Sequence, residues 1–160
     1  EITTRLVGSE MCIRDRQTVN AIYDWDNYST YYHKDLLGAN NNIIISSPVI
    51  SGPKVYELIN LLKEKQMSGV QITIVTWAPD SYRFGDAAYW MQLHEDMRQA
   101  GFYIKTVEES CERFAVIDQE VVWYGNINLL AKDKVDDSIM RVMSKEIASE
   151  LMEITFGDNG

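Results

Sequence analysis

Apolar and polar residues follow two patterns along the chain, one that predicts strands and one that predicts helices. Short continuous apolar runs are typical of buried strands, and segments with apolar residues every three or four positions are typical of helices that end near a glycine. The predicted helices are Asp26–Gly38, a segment from Pro53 to Gly69, Phe84–Ala100 and Ser144–Phe156, and the predicted strands are Ile43–Ser46, Val70–Thr76, Phe102–Thr106 and Ile139–Met143.

The stretch Cys111–Asn128 (CERFAVIDQEVVWYGNIN) predicts a hairpin followed by a polar loop. Its strands are expected at Arg113–Asp118 and Val121–Tyr124, joined by the two-residue connection Gln119-Glu120. A hairpin brings the start of its first strand beside the end of its second. We therefore expect four polar side chains to meet at one end, those of Cys111, Arg113, Asn126 and Asn128. A cation and two amides supply several donors to one phosphate, and Gly125 would let the backbone approach such a ligand.

Strands that alternate with helices predict an α/β fold, with a mostly parallel central sheet, the hairpin, and helices on both faces. In such folds the loops at the carboxyl ends of the strands are where ligands bind. The last helix is expected to bury Ile147, Leu151 and Ile154. His33 is expected at the surface of its helix or half-buried there, and His94 is expected on a solvated face of its helix beside Glu95 and Asp96.

Composition narrows the functional classes. The chain has 160 residues and a net charge of −9, which argues against tight, unspecific DNA binding by this piece alone, because such binding depends on neutralising phosphates. No apolar run is long enough for a membrane span, no signal peptide is present, and two cysteines make no disulfide framework, so a cytoplasmic location is expected. Neither metal-ligand spacing nor a nucleotide-binding fingerprint occurs, so no metal or other cofactor is expected.

The first sixteen residues do not fit the rest of the chain. Arg5–Arg16 (RLVGSEMCIRDR) matches the conceptual translation of a transposase-based sequencing adapter. We interpret residues 1–16, including Cys12, as a non-native segment joined to a bacterial, metagenomic fragment of a longer protein, the alternative being an ordinary N-terminal arm. A single domain is then expected over residues 17–160.

The hairpin segment resembles the signature of the phospholipase D-like phosphodiesterase superfamily, in which His, Lys, Asp, Gly, Ser and Asn occur at fixed spacing. Three of these positions are identical here and three are replaced, in the order Cys111, Arg113, Asp118, Gly125, Asn126 and Asn128. The wider chain, from about Ala21 to Phe156, is similar to the phospholipase D-like module at the C-terminal end of certain bacterial DEAD/DEAH-box helicases. This resemblance implies a phospholipase D-like sandwich with helicase motor domains elsewhere in a longer parent chain.

The resemblance also implies a mechanism. The motif histidine attacks phosphorus, lysine and asparagine hold the phosphate oxygens, and the histidine of a second motif protonates the leaving alcohol. One motif per chain implies a homodimer with the site across its twofold axis. Here Cys111 fills the nucleophile position. A thiolate is nucleophilic and Arg113 would lower its pKa, but a thiol is a poor proton donor to an alkoxide, so both roles suffer in a symmetric dimer.

Each remaining residue has two interpretations. Arg113 either binds phosphate or pairs with a nearby glutamate, Glu108, Glu109 or Glu112. Asn126 and Asn128 either donate to a phosphate oxygen or cap the turn that follows. Asp118 either supports the site or only begins the hairpin turn.

Three functions follow from these interpretations. The first is a degenerate module that binds a phosphodiester, such as a nucleic acid backbone. The second is an active, metal-independent dimeric phosphodiesterase or nuclease, and the third is a structural dimerisation module. The sequence does not distinguish DNA, RNA and lipid as the source of the phosphodiester.

Overall fold

In the described part of the chain, strands and helices alternate up to residue 107, and three strands then follow with no helix between them before the last helix. The computed structural model describes residues 21–24, 26–79, 87–108, 111–131 and 137–157, so the predicted non-native segment 1–16 lies outside the described residues. The strands are β1 (Ala21–Asp24), β2 (Asn42–Ser46), β3 (Gln71–Trp77), β4 (Tyr103–Val107), β5 (Phe114–Ile117), β6 (Val121–Gly125) and β7 (Ser138–Met143). The helices are α1 (Tyr28–Leu37), α2 (Gly52–Met67), α3 (Ala87–Gln99) and α4 (Lys145–Met152), the last continuing as a π-helical turn over Glu153–Gly157.

The described strands form one seven-stranded sheet in the order β1-β7-β6-β5-β2-β3-β4. The α/β class is confirmed, but the prediction of a mostly parallel sheet is wrong. Only β2 with β3 and β3 with β4 pair in parallel, and the other four neighbouring pairs are antiparallel. Part of the reason lies in the connections. A crossover helix joins the strands of each parallel pair, and no helix of the described residues separates β5, β6 and β7, which pair as antiparallel neighbours.

Helices cover both faces of the sheet, as predicted, but unequally. One face packs against α1, α2 and α3 to form the larger core. The other face carries α4, which buries Ala148 and Leu151 above a smaller apolar cluster. The expectation for this last helix holds for Leu151 only, since Ile147 and Ile154 are exposed. None of the helices in the described part of the chain has the length and apolar character needed to cross a membrane.

A buried ion pair attaches α1 to the antiparallel half of the sheet. Arg141 on β7 donates through Nε to Asp35 Oδ2 at 2.6 Å and through its terminal nitrogen to Oδ1 at 3.0 Å. Trp123 on β6 donates its indole N–H to the same carboxylate at 2.8 Å. A buried charge without its partner is strongly destabilising, so this bidentate contact fixes which face of the sheet α1 covers.

The hairpin turn is tied to the loop before β2. Ile117 pairs with Val121, so three residues, Asp118–Glu120, form the turn instead of the two predicted. Asp118 has a φ of 55°, a left-handed conformation that aspartate tolerates better than most residues. Its carboxylate accepts backbone N–H groups from three successive residues, Asn40, Asn41 and Asn42, at 2.7 to 3.1 Å. The turn and the loop therefore hold each other in place.

The prediction that His94 lies on a solvated face is wrong. Its side chain is 1% exposed, and it is one of the buried residues of α3 together with Leu93 and Met97. Neither ring nitrogen has a hydrogen-bond partner among the residues that the structure describes. Burial lowers the pKa of His94, and the charge of Arg98 lowers it further. His33, in contrast, is half-buried.

We expect His94→Leu to stabilise the fold. The substitution replaces an imidazole with unsatisfied nitrogens by an apolar side chain of similar size, so the free energy of unfolding should rise by about 1 kcal/mol at neutral pH. Because the folded protein holds the pKa of His94 below its ordinary value, the unfolded chain takes up the proton first as pH falls. The advantage of the variant should therefore grow below about pH 6.5.

Urea unfolding of the parent and His94→Leu at about pH 7.5 and about pH 5 measures both effects. His33→Leu is the matched comparison, and it should gain less because His33 is only half-buried. A parent that is more stable than His94→Leu at both pH values would contradict the prediction.

Candidate functional site

The two ends of the predicted motif converge at one end of the β5–β6 hairpin. Phe114 pairs with Tyr124 across the ladder, so the segment before β5 lies beside the segment after β6. A backbone hydrogen bond from Gly125 N to Arg113 O, at 3.4 Å, continues this pairing past the end of β5. The structure thus brings the segment 111–113 next to the segment 125–128.

Arg113 and Asn128 are in direct contact. Arg113 donates through Nε to Asn128 Oδ1 at 3.1 Å. Asn128 is 8% exposed, so this bond forms at the inner wall of the site. Within the described residues, Arg113 forms no ion pair with Glu108 or Glu112, and Glu109 lies outside them. The terminal N–H groups of Arg113 have no hydrogen-bond partner in the part of the chain that the structure describes, so they remain available to an anion.

Cys111 lies in the same segment but is closed in by its neighbours. Its Sγ is 3.4 Å from Ser46 Oγ, 3.8 Å from Glu112 O and 4.0 Å from Val75 O. Burial raises the pKa of Cys111 above its ordinary value, although the hydrogen bond to Ser46 and the charge of Arg113 act in the opposite direction. The predicted influence of Arg113 on this pKa is therefore present, but burial outweighs it. At neutral pH Cys111 is a thiol, which is a weak nucleophile.

Gly125 and Asn126 follow β6 at the edge of the site. A Cβ atom on Gly125 would lie 2.6 Å from both Ile139 Cα and Ser138 O, so the glycine is required by the close approach of β7. The packing of β7 therefore explains the glycine at this position without any ligand, whereas the sequence suggested that Gly125 lets the backbone approach one. Asn126 is exposed, and its backbone N–H donates to Ser138 O at 3.0 Å. Its side-chain amide makes no hydrogen bond to any residue in the described ranges, so no described residue competes with a ligand for it.

Asp118 is not part of this group of side chains. It lies at the far end of β5 from Cys111, roughly 16 Å from Arg113 along a strand that rises about 3.3 Å per residue. Its carboxylate is occupied by the backbone of residues 40–42. Asp118 therefore supports the hairpin from a distance and does not contact the site.

Two neighbours of the site did not emerge from the sequence. Ser46 and Ser47, at the end of β2, are buried and contact the segments that carry Cys111 and Asn128. Glu112 accepts a hydrogen bond from the Tyr124 hydroxyl at 2.7 Å, which raises the pKa of Tyr124. One signal for the serines was available, since two polar residues that end a buried apolar strand stand where α/β folds place ligand-binding loops. No group of three or more potential metal ligands occurs in the described ranges.

Solved structures share this fold. Nuc from Salmonella typhimurium, a phospholipase D family member, is 13% identical with a TM-score of 0.66, and the match covers 85% of this chain and 90% of that chain. NucT from Helicobacter pylori is 10% identical with a TM-score of 0.61 and coverage of 86% and 92%. TrmBL2, an archaeal chromatin protein, is 12% identical with a TM-score of 0.60, and the match covers 91% of this chain and 55% of that chain.

Identities this low establish the fold and no more. A search of curated proteins by sequence found no match. A family model described as "Cardiolipin synthase, PLD-like domain" matches residues 32–156. That match spans most of the chain and includes both segments of the site, and the chain therefore belongs to the phospholipase D-like domain family.

Proposed function

We propose that this domain binds a phosphodiester backbone through Arg113, Asn126 and Asn128 and has lost most or all of its hydrolytic activity. The single observation that carries the proposal is the hydrogen bond between Arg113 Nε and Asn128 Oδ1. That bond fixes the guanidinium while leaving its terminal N–H groups unoccupied by any residue that the structure describes. An arginine held in this way offers a planar pair of donors, which suits two oxygens of one phosphate.

The same site is poorly equipped for catalysis. The nucleophile position holds Cys111, whose burial favours the thiol over the thiolate. A phosphodiesterase of this family also needs a proton donor for the leaving alcohol, as the resemblance implies. Cys111 in a second copy of the chain would be a weak acid for that task. Neither Gly125 nor Asn126, which replaces the signature serine, supplies a nucleophile or a proton donor in place of Cys111.

Nucleic acid is the proposed source of the phosphodiester. TrmBL2 shares the fold and is described as having a novel mode of DNA binding, which supports this choice over a lipid. The net charge of −9 requires that affinity come from the site itself, with a strong dependence on salt. The sequence resemblance to helicase modules supports a place for this domain beside motor domains in a longer protein of the cytoplasm.

Replacing Arg113 should test the binding function directly. At about 20 mM salt, Arg113→Ala should weaken binding of a single-stranded oligonucleotide by one to two orders of magnitude, because a charge-assisted contact to phosphate is lost. Arg113→Lys should recover only part of this affinity, since lysine has no forked donor pair. Fluorescence anisotropy with a labelled oligonucleotide measures each dissociation constant.

Two controls isolate the effect. Arg98→Ala removes the same charge from an exposed position on α3 and should change affinity little. An oligonucleotide with uncharged methylphosphonate linkages should bind the parent and Arg113→Ala equally weakly. Equal affinity of the parent and Arg113→Ala for the natural oligonucleotide would refute the proposal.

Activity assays of Cys111 variants test the alternative, an active phosphodiesterase. We expect no turnover of a chromogenic phosphodiester by the parent in excess chelator, because the thiol is neither an ionised nucleophile nor an adequate acid. Cys111→His restores the signature residue and should gain measurable metal-independent hydrolysis, whereas Cys111→Ser should not. Parent activity that disappears in Cys111→Ala would instead establish the cysteine as a working nucleophile.

The third candidate, self-association, is favoured by an exposed apolar row on the face of the sheet that carries α4. Ile22, Met140 and Tyr124 are direct cross-strand neighbours on β1, β7 and β6, and they are 75%, 40% and 37% exposed. Neighbours of this kind project from the same face of a sheet. A second copy of the chain is the occupant we propose, because the resemblance implies a site built from two motifs and this domain carries one.

Sedimentation equilibrium tests this assembly. The parent should show the mass of a dimer, and Met140→Glu should shift it towards the monomer by placing a charge in the centre of the row. Met67→Glu, the same substitution at an exposed methionine at the end of α2, should leave the mass unchanged. A monomeric parent at all accessible concentrations would remove both the structural module and a shared site.

A further inference from the structure

Two adjacent serines occupy an unusual place in the sheet. Ser46 ends β2 directly after three isoleucines and Ser47 follows it, and the two side chains are 1% and 0% exposed. A buried hydroxyl without a partner is costly, so each needs hydrogen bonds to be tolerated. Both hydroxyl groups have them, and both reach the candidate site.

Ser46 holds the segment that carries Cys111 and Arg113. Its Cα is paired with that of Phe114, the first residue of β5, so the β2–β5 ladder ends at this position. Beyond the ladder, the Ser46 hydroxyl donates to Glu112 O at 2.6 Å and contacts Cys111 Sγ at 3.4 Å. A side chain thus continues the attachment where backbone pairing stops.

Ser47 holds the turn that carries Asn128. Its hydroxyl donates to Val49 O at 2.7 Å and accepts the backbone N–H of Leu130 at 3.2 Å. A second bond, from Ser51 N to Leu130 O at 2.7 Å, joins the same turn to the start of α2. The turn itself is closed by Ala131 N donating to Asn128 O at 3.2 Å.

From these contacts we infer that Ser46 and Ser47 are positioning residues for the phosphate site, each fixing one of its two halves. Arg113 lies on the half held by Ser46, and Asn128 lies on the half held by Ser47. Their 3.1 Å hydrogen bond spans the two halves, so it depends on both serines. The inference rests on the proposed function for its ligand, but the positioning itself is a property of the unliganded protein.

Nuclear magnetic resonance of the unliganded protein provides the test. The Nε–H signal of Arg113 reports the bond to Asn128, and its exchange with water should speed up about fivefold or more in Ser46→Ala and in Ser47→Ala, since each loses a buried hydrogen bond that holds one half. Ser46→Thr, which keeps the hydroxyl on a residue type favoured in strands, should return the exchange rate towards that of the parent.

Thr76→Val is the matched control. Thr76 is fully buried on β3 and donates to Pro48 O at 3.1 Å, so this variant also loses a buried hydroxyl, but one whose bond goes to Pro48 and not to the segments that carry Arg113 and Asn128. It should lose thermal stability to a similar degree and leave the Arg113 signal unchanged. An Arg113 Nε–H that exchanges equally fast in the parent, Ser46→Ala and Ser47→Ala overturns the inference, as does an equal acceleration in Thr76→Val.

Affinity for the oligonucleotide provides a second test of the inference. The two serine-to-alanine variants should bind about fivefold or more weakly than the parent, while Thr76→Val binds like the parent. If the parent itself does not bind, the proposed function fails, and the exchange measurement still decides the positioning of Arg113 and Asn128. If the exchange rates change as expected but affinity does not, the serines do not position a ligand site and the inference fails.

Discussion

The antiparallel ladder between β5 and β6 is the constraint on which the candidate site depends. Its register places Phe114 opposite Tyr124. Arg113 and Asn128, which are fifteen positions apart in sequence, thereby come within hydrogen-bond distance. A shift by one residue would turn every side chain of the hairpin to the other face of the sheet. The register is held at the turn by Asp118, whose carboxylate binds the backbone before β2, and at the open end by Ser46. The site is thus ordered by contacts made at both ends of the same two strands.

Burial and electrostatics act against each other at Cys111, and burial prevails. The contacts that order the segment also remove the thiol from water, which disfavours the charged form. A histidine at this position would become a cation when protonated, and a thiol would become an anion when it ionises. Desolvation opposes both, but only the cysteine must ionise before it can attack. A closely packed site that suits a neutral nucleophile is therefore poorly suited to a cysteine.

The sequence was sufficient for features set by local contacts and insufficient for those set by the assembled sheet. The hairpin and its convergent polar ends were predictable, because short loops and β-branched runs act over a few residues. The antiparallel pairing outside the hairpin was not predictable, since it depends on where β5, β7 and β1 join the sheet. The burial of His94 was hidden by its acidic neighbours Glu95 and Asp96, which lie on other sides of the helix. Ser46 and Ser47 read as the end of a strand, and only their distant partners, Glu112 and Leu130, reveal what they hold.

The replacement of the signature lysine by Arg113 fits binding better than turnover. A lysine has a single nitrogen, so a bond to Asn128 would occupy part of the same group that must meet the phosphate. Arginine separates the two tasks, because Nε reaches Asn128 while the two terminal nitrogens stay in one plane for the ligand. On a chain with a net charge of −9, the proposed binding would depend on this one position instead of on charge spread over the surface. The combination of Arg113 with Cys111 therefore favours a domain that holds a phosphodiester without cleaving it.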